Sequence, residues 1–170
     1  MLPSIRVVLR RLVFTSVLLG ASAAYADFND GIAAFAAGDY NQALQILMPL
    51  ASTSNHAMAQ YFVARMYLEG RGTERNPAEA AKWMRKSAEQ GVKEAQFQLG
   101  SLYARGEGVP KDMEQAYGWL SVAAHLGNAR AQEALGGITL SGEEKTAAES
   151  LAQELINQYG QPPRTTSVSQ

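Results

Sequence analysis

Residues 95–127, AQFQLGSLYARGEGVPKDMEQAYGWLSVAAHLG, decide the fold because much of their pattern also occurs 36 residues earlier in the chain. With this offset the two copies align without a register slip, and the matched pairs include Ala59 with Ala95, Gln60 with Gln96, Tyr67 with Tyr103, Gly70 with Gly106, Gly72 with Gly108 and Trp83 with Trp119. A third copy, beginning at Ala131, matches only the opening of the others. A repeat of this length is typical of solenoid proteins, in which each repeat is one supersecondary unit stacked on its neighbours.

Each copy has the pattern of two helices. From Ala59 to Gly70, apolar or small residues recur at steps of three and four, which indicates one buried helix face. Gly70 can adopt the positive φ that ends a helix at low cost. The second helix is predicted to begin after the N-cap Asn76, with Pro77 at its first position and Glu79 as the returning capping partner.

The second copy repeats these end signals, with Asp112 as the N-cap and Gln115 as its returning partner. Gly91 and Gly127 are predicted to end the second helices. No stretch of the sequence alternates with the two-residue period of a strand, so the sequence predicts an all-α protein.

The loop Gly106-Glu107-Gly108 resembles a phosphate-binding loop at first sight, because a basic residue and a helix start follow it. The preceding copy has Gly70-Arg71-Gly72, with the opposite charge in the middle. A phosphate loop would not place a carboxylate where the anion must lie. The sequence therefore predicts a tight turn between two helices and no nucleotide site.

Small and aromatic side chains recur at the positions where helices must pack. Ala64 and Gly100 are predicted to allow a close helix approach, as are Ala88 and Ala124. The recurring aromatic residues are predicted to fill the core between layers, and they are Tyr67, Tyr103, Trp83 and Trp119. The charged run KWMRKSAE (82–89) is interpreted as a solvated helix face.

The segments on either side of the repeats are also predicted to be helical. Residues 28–52 have the pattern of a helix pair with a short connection at Gly38-Asp39-Tyr40. Ser141 and Glu144 are spaced as a capping box before a closing helix, which carries Ala147, Leu151, Leu155 and Tyr159 at four-residue steps. The outer face of that helix is polar, as the end of a solenoid requires.

The first 26 residues have the three parts of a secretory signal peptide. A basic start with Arg6, Arg10 and Arg11 precedes an apolar run, and small residues end at Ala26, after which cleavage is expected. The alternatives are a retained membrane anchor, for which the apolar run is short, and twin-arginine export, which the residues around Arg10 and Arg11 match poorly. We therefore expect a periplasmic or secreted protein with no stable membrane insertion after cleavage.

Charge and cysteine content exclude several classes of protein. Without residues 1–26 the chain has 12 basic and 16 acidic residues, a net charge of −4, which argues against nucleic-acid binding. The chain contains no cysteine, so disulfides and thiolate metal sites are excluded. The two histidines, His56 and His125, have no acidic or histidine partner at metal-binding spacing and are interpreted as exposed or capping residues. We expect no metal site, no cofactor and no catalytic residue.

Residues 95–127 contain the pattern A-x-x-x-L-G-x-x-Y-x-x-G-x-G-V followed by D-x-x-x-A-x-x-W-x-x-x-A-A-x-x-G, which resembles the Sel-one-like repeat (SLR) family, a relative of the tetratricopeptide repeats. The resemblance implies a right-handed α-solenoid of antiparallel helix pairs, about three to four repeats long with a C-terminal capping helix, that serves as a protein-interaction scaffold. Thr73 and Ala64 depart mildly from the family pattern.

The predicted organisation divides the chain into six segments. These are a signal peptide (1–26), a tetratricopeptide-like first helix pair (27–56), two SLR repeats (57–91 and 92–127), a partial repeat with the capping helix (128–160) and a disordered tail (161–170).

The function predicted from this reading is a non-catalytic adaptor that binds a peptide or protein partner. The resemblance implies that the first helix of each pair lines a concave binding surface, on which the candidate contact residues are Gln60, Phe62, Arg65, Glu69, Gln98, Ser101 and Arg105. Phe62 breaks the repeat, since its counterpart is Gln98, and is interpreted either as a partner contact or as packing on the first repeat. The alternatives are an envelope hydrolase, as described for some cysteine-rich relatives, and a purely structural subunit of an envelope assembly.

Overall fold

The computed structural model describes residues 27–163, and all regular secondary structure in that range is helical. The predicted signal peptide (1–26) and most of the predicted tail (164–170) lie outside the described residues. The helices, in chain order, are α1 (27–37), α2 (Tyr40–Ser52), α3 (Ala57–Glu69), α4 (Pro77–Glu89), α5 (Lys93–Arg105), α6 (Met113–His125), α7 (Ala129–Gly136) and α8 (Gly142–Tyr159).

The helices stack in chain order. From α2 to α7 each helix packs on the next one, and α8 returns to pack on α6. The first helices of the pairs are α1, α3, α5 and α7, and the second helices are α2, α4, α6 and α8. This arrangement of adjacent helix pairs is an α-solenoid, as the 36-residue period predicted.

The predicted N-caps of the second helices are confirmed. The Asn76 side chain accepts a hydrogen bond from the Glu79 backbone at 3.1 Å, and the Asp112 side chain accepts one from the Gln115 backbone at 2.9 Å. Each bond satisfies one of the free N–H groups at a helix start.

The returning bond predicted from Glu79 to the backbone of Asn76 is wrong. The Asn76 N–H instead donates to the carbonyl of Tyr67 at 2.8 Å, and the Asp112 N–H donates to the carbonyl of Tyr103 at 3.1 Å. The carboxylate of Glu79 pairs with a lysine one turn further along α4. The backbone of the loop therefore closes onto the end of the first helix, and the glutamate is left free for the surface.

The two glycines of each Gly-x-Gly loop have different roles. Gly106 caps α5 in the left-handed conformation, as Gly70 caps α3. Gly72 and Gly108 also have positive φ, at 71° and 73°, but they lie against the preceding repeat. A Cβ atom on Gly108 would overlap the carbonyl of Pro77, the first residue of α4.

Gly72 makes the same contact one repeat earlier, where a Cβ atom would overlap the carbonyl of Tyr40 at the start of α2. Each Gly-x-Gly loop therefore rests on the N-terminus of the second helix in the preceding pair. Only a residue without a side chain permits this approach.

The small residues allow the predicted helix contacts. A Cβ atom on Gly100 would lie 2.8 Å from a side-chain carbon of Leu120 and 3.0 Å from the carbonyl of Ala116, so α5 and α6 approach closely there. Ala64 and Ala88 are fully buried.

The aromatic core prediction holds for one repeat and only partly for the other. Tyr103 and Trp119 are buried, whereas Tyr67 and Trp83 are half-buried. Trp119 is covered because the ring of Tyr159 in α8 stacks on it, with centroids 5.4 Å apart.

The closing helix begins at the predicted capping box, in which the Ser141 N–H donates to the Glu144 carboxylate at 3.0 Å. The buried side of α8 is formed by Ala148, Ala152 and Leu155. The four-residue pattern was wrong at its first position, because Ala147 is exposed and its neighbour Ala148 faces the core instead.

The C-terminal end of α8 ties the last pair to the middle of the solenoid. Gln96 at the start of α5 donates to the carbonyl of Tyr159 at 3.1 Å. Just beyond, the backbone of Gln161 passes so close to Gly91 that a Cβ atom there would overlap it. Across the described residues, the length and composition of every helix fall short of what a membrane span needs.

We predict that Gly108→Ala destabilises the protein much more than Gly127→Ala. Both glycines have positive φ, but a Cβ atom on Gly127 would meet nothing within 4 Å. The Gly127 variant should cost about 1–2 kcal/mol, the usual penalty of a left-handed residue, and the Gly108 variant about 3 kcal/mol or more. Urea unfolding followed by circular dichroism measures both. Equal losses would show that the contact with α4 does not hold the repeats together.

Candidate interaction surface

The first helices of the pairs carry a row of aromatic and arginine side chains. We call this row the first-helix strip, and it consists of Phe35 in α1, Tyr61, Phe62 and Arg65 in α3, Phe97 in α5 and Arg130 in α7. Every residue of the strip retains exposed surface.

Arg65 lies at the centre of the N-terminal part of the strip. Its guanidinium is 5.2 Å from the ring centroid of Phe35, 5.8 Å from that of Tyr61 and 5.9 Å from that of Phe62. Its Nε donates to the Glu69 carboxylate at 3.3 Å, and 29% of its side chain remains exposed. The rings and the carboxylate hold the charge in one orientation at the surface.

Glu69 extends this network to the loop after α3. Its second carboxylate oxygen lies 2.7 Å from Nε of Arg71, which in turn donates to the Tyr40 hydroxyl at 3.0 Å. Glu69 is therefore an exposed residue of the same patch as Arg65, and both of its oxygens are paired within the protein.

Phe62, the residue that breaks the repeat, packs on the first pair. Its ring makes edge contacts with Phe28 at 6.4 Å, Phe35 at 5.2 Å and Tyr61 at 5.4 Å. Phe62 is half-buried. Its packing on the first pair covers one part of the ring, and the remaining exposed part lies on the strip.

The strip continues across the next two pairs. The Arg130 guanidinium in α7 lies 4.5 Å from the ring centroid of Phe97 in α5. Burial raises the pKa of the Tyr61 hydroxyl, an effect that Glu94 reinforces and that Arg65 and Arg130 oppose. Charges on α5 and α7 therefore act on the Tyr61 hydroxyl of α3.

Gln60 does not belong to this surface, contrary to the prediction. It is 1% exposed, donates to the Ala51 carbonyl at 3.1 Å and to Asn55 at 2.7 Å, and accepts from Gln90 at 2.7 Å. Gln96 repeats the first of these bonds one pair later, to the carbonyl of Ala88 at 3.0 Å. Both glutamines satisfy the last carbonyls of a preceding helix, so their recurrence reflects packing.

The candidates in the second repeat lie at the positions of Phe62, Arg65 and Glu69. Gln98 and Ser101 are half-buried, and the Ser101 hydroxyl donates to the backbone of its own helix at 2.9 Å. Arg105 is exposed and pairs with Glu107 at 3.0 Å. This part of the surface is therefore polar, whereas the first repeat is aromatic.

Phe35, Tyr61, Phe97 and Arg130 were not among the predicted contact residues. Tyr61 and Phe97 are equivalent in the repeat, so neither stands out as a departure from it in the way that Phe62 does. The signal that could have identified them is the arginine four residues after Tyr61, at a spacing that brings two side chains together on a helix surface.

The sequence indicated that the two histidines are exposed or capping residues. In the structure His56 is a capping residue and His125 is exposed. The imidazole of His56 accepts from the Ala59 N–H at 3.2 Å and stacks on Phe28 with centroids 4.4 Å apart. Within residues 27–163, histidine, aspartate and glutamate side chains form no group of three that could hold a metal ion.

Residues 57–92 and 93–128 match the family model described as Sel1 repeat. The chain contains two Sel1 repeats. Sel1 repeats generally mediate protein interactions, and proteins built from them are typically non-catalytic scaffolds. The matched segments begin with α3 and α5, so each repeat is one helix pair with its Gly-x-Gly loop.

Two solved structures resemble this Sel1-repeat chain. A protective antigen from uropathogenic Escherichia coli strains, described as displaying an SLR fold, is 31% identical with a TM-score of 0.76 over 81% of this chain. A Sel1 repeat protein from Oxalobacter formigenes is 34% identical with a TM-score of 0.63 over 75% of this chain. The chain spans 30% of the first protein and 55% of the second. No curated protein sequence matches it significantly.

We predict that the stability of the protein falls as the pH drops below the ordinary pKa of histidine. Burial lowers the pKa of His56 from 6.5, so the unfolded chain binds a proton that the folded chain resists. The stability that neutral His56 contributes is complete above pH 6.5 and is lost as the pH falls towards the lowered pKa. The protonated imidazole can no longer accept the cap bond, which is worth about 1 kcal/mol. Thermal unfolding between about pH 8 and about pH 5 measures the effect.

The matched variants for this prediction are His56→Asn and His125→Asn. Asparagine caps a helix without titrating in this range, so His56→Asn should flatten the dependence of Tm on pH, while His125→Asn should leave it unchanged. The same slope in His56→Asn as in the unaltered chain would contradict the assignment.

Proposed function

We propose that this Sel1-repeat protein is an exported, non-catalytic adaptor that holds a peptide or protein segment on the first-helix strip. The observation that carries the proposal is the set of arginine and aromatic side chains on all four first helices, where Arg65 lies against Phe35 and Arg130 lies against Phe97, none of them fully buried. Aromatic residues and arginine are enriched in protein interfaces and dominate their binding energy.

The pre-organised state of Arg65 supports binding at this surface. Its contacts with three rings and Glu69 fix a long side chain before a partner arrives, which lowers the entropy lost on binding. Its guanidinium still has donors to offer, because only Nε is used by Glu69.

The export part of the proposal is supported by the N-terminal sequence. Residues 1–26 have the basic start, apolar run and small residues before the cleavage position that secretory signals share.

The proposal predicts that a photo-cross-linking residue on the strip captures a partner that the same residue on the second helices does not. We would place it at Phe97 or Arg130 on the strip, and at the exposed Glu114 of α6 or Glu154 of α8 as matched controls. In cells that export the protein, adducts of one defined mass should form from the strip positions. Adducts that form only from the control positions would contradict the proposed surface.

Repeat-swap variants then test the contact residues, with the Tm of each variant measured because Phe62 also packs on Phe28 and Phe35. Phe62→Gln and Arg65→Ser place at each site the residue that the next repeat already has, Gln98 and Ser101. Loss of an anchoring contact should reduce adduct formation or affinity about tenfold. Full capture by the double variant would show that the strip does not bind the partner.

A further inference from the structure

An open cleft of about 420 Å³ lies beside α4, outside the first-helix strip. One wall is α4 itself, with Ala78, Trp83 and Lys86, and the other wall is the loop after α5, with Gly108 and Val109. This volume lies within the range of ordinary ligand-binding pockets. The second wall is fixed in place, because Gly108 rests on the first residue of α4.

The cleft combines an aromatic floor with basic walls. Lys82, Arg85 and Lys86 line it together with a single acidic residue, Glu79. The ammonium group of Lys86 lies 4.3 Å from the ring centroid of Trp83. Arg85 is held by the hydroxyl of Tyr103 and by its ring at 5.6 Å. The run 82–89 is thus more than the solvated face that its composition indicated.

This positive charge is local. Residues 27–170 contain four more acidic than basic residues, since they have 16 of one and 12 of the other. The rest of the chain is acidic, whereas the cleft has three basic residues and one acidic residue. An anionic ligand is therefore attracted to the cleft more strongly than to the rest of the surface.

The next repeat shows what the aromatic floor of the cleft can bind. Trp119, the counterpart of Trp83, is 1% exposed because the Tyr159 ring stacks on it with an interplanar angle of 23°. Trp83 keeps exposed surface in the cleft. A tryptophan at this position of the repeat is therefore able to accept a second aromatic ring, whereas in the first repeat it is the Lys86 ammonium that lies over the Trp83 ring.

We propose that this cleft is a second binding site, which takes an acidic peptide segment carrying one aromatic side chain. The ring would stack on Trp83 as Tyr159 stacks on Trp119, taking the place of the Lys86 ammonium. The flanking carboxylates would then pair with the released Lys86 and compete with Glu79 for Lys82. The site is independent of the first-helix strip, because its residues come from a second helix and from a Gly-x-Gly loop.

The test uses tryptophan fluorescence, since the chain has two tryptophans and only Trp83 lines the cleft. In a Trp119→Phe background, a synthetic decapeptide of aspartate and glutamate with one central phenylalanine should change the Trp83 emission saturably. Binding should weaken between about 0.01 and 0.15 M salt, as the screening length falls from about 30 to about 8 Å. If Trp119→Phe does not fold, calorimetric titration of the unaltered chain with the same peptides replaces it.

Charge-reversal variants locate the site. The double variant Lys82→Glu with Lys86→Glu should weaken peptide binding about tenfold or more. The control is Lys93→Glu with Lys145→Glu, which changes the net charge by the same amount outside the cleft. It should change peptide binding less than about twofold. Phe62→Gln with Arg65→Ser should leave it unchanged. Equal losses in the two lysine pairs would overturn the proposal.

Two further probes test the chemistry of the ligand. The same peptide with alanine in place of phenylalanine should bind several-fold more weakly, and a lysine peptide with one phenylalanine should not bind. No saturable change with the acidic peptide, equal binding of its alanine version, or tighter binding of an acidic oligosaccharide such as oligogalacturonate would each overturn the proposal.

Discussion

One contact sets the geometry of this solenoid. In each repeat a loop glycine lies against the carbonyl at the start of the second helix of the preceding pair. Gly72 makes it with Tyr40, and Gly108 makes it with Pro77. Because the loop then closes on the end of its own first helix through the Tyr67 and Tyr103 carbonyls, one short segment fixes both the turn within a pair and the spacing between pairs. The first-helix strip and the cleft beside α4 both depend on this spacing, since each is assembled from side chains of successive pairs.

The features that could be predicted from the sequence are those with a local cause. Asn76 and Asp112 were recognisable as caps, and the positive-φ glycines as turn residues, because the bonds that they satisfy lie within a few residues. Gln60 was misplaced because its partners, such as Gln90, come from neighbouring helices whose rotation the period alone does not give. The pairing of Phe97 with Arg130 was missed for the same reason, since it joins two pairs and does not recur at 36 residues.

Departures from the repeat are where the chain carries its specific surface. The two matched copies keep glycines, caps and small residues, which maintain the stack. The positions that differ between them, Phe62 against Gln98 and Arg65 against Ser101, produce an aromatic and cationic patch at one end and a polar surface at the other. Trp83 and Trp119 show a third kind of difference: the residue is the same, but α8 covers only one of them. A repeat protein can therefore carry distinct binding surfaces on an almost uniform scaffold.

Native-state hydrogen exchange of a Gly72→Ala chain, read by mass spectrometry, tests most directly whether the loop glycine joins neighbouring repeats. In a solenoid each interface contributes separately to stability, so weakening one contact should open the structure locally. This role of Gly72 predicts faster exchange at the start of α2 and in residues 70–76, with α6 (Met113–His125) still protected. A uniform loss of protection along residues 27–163, or no change near Tyr40, would contradict it.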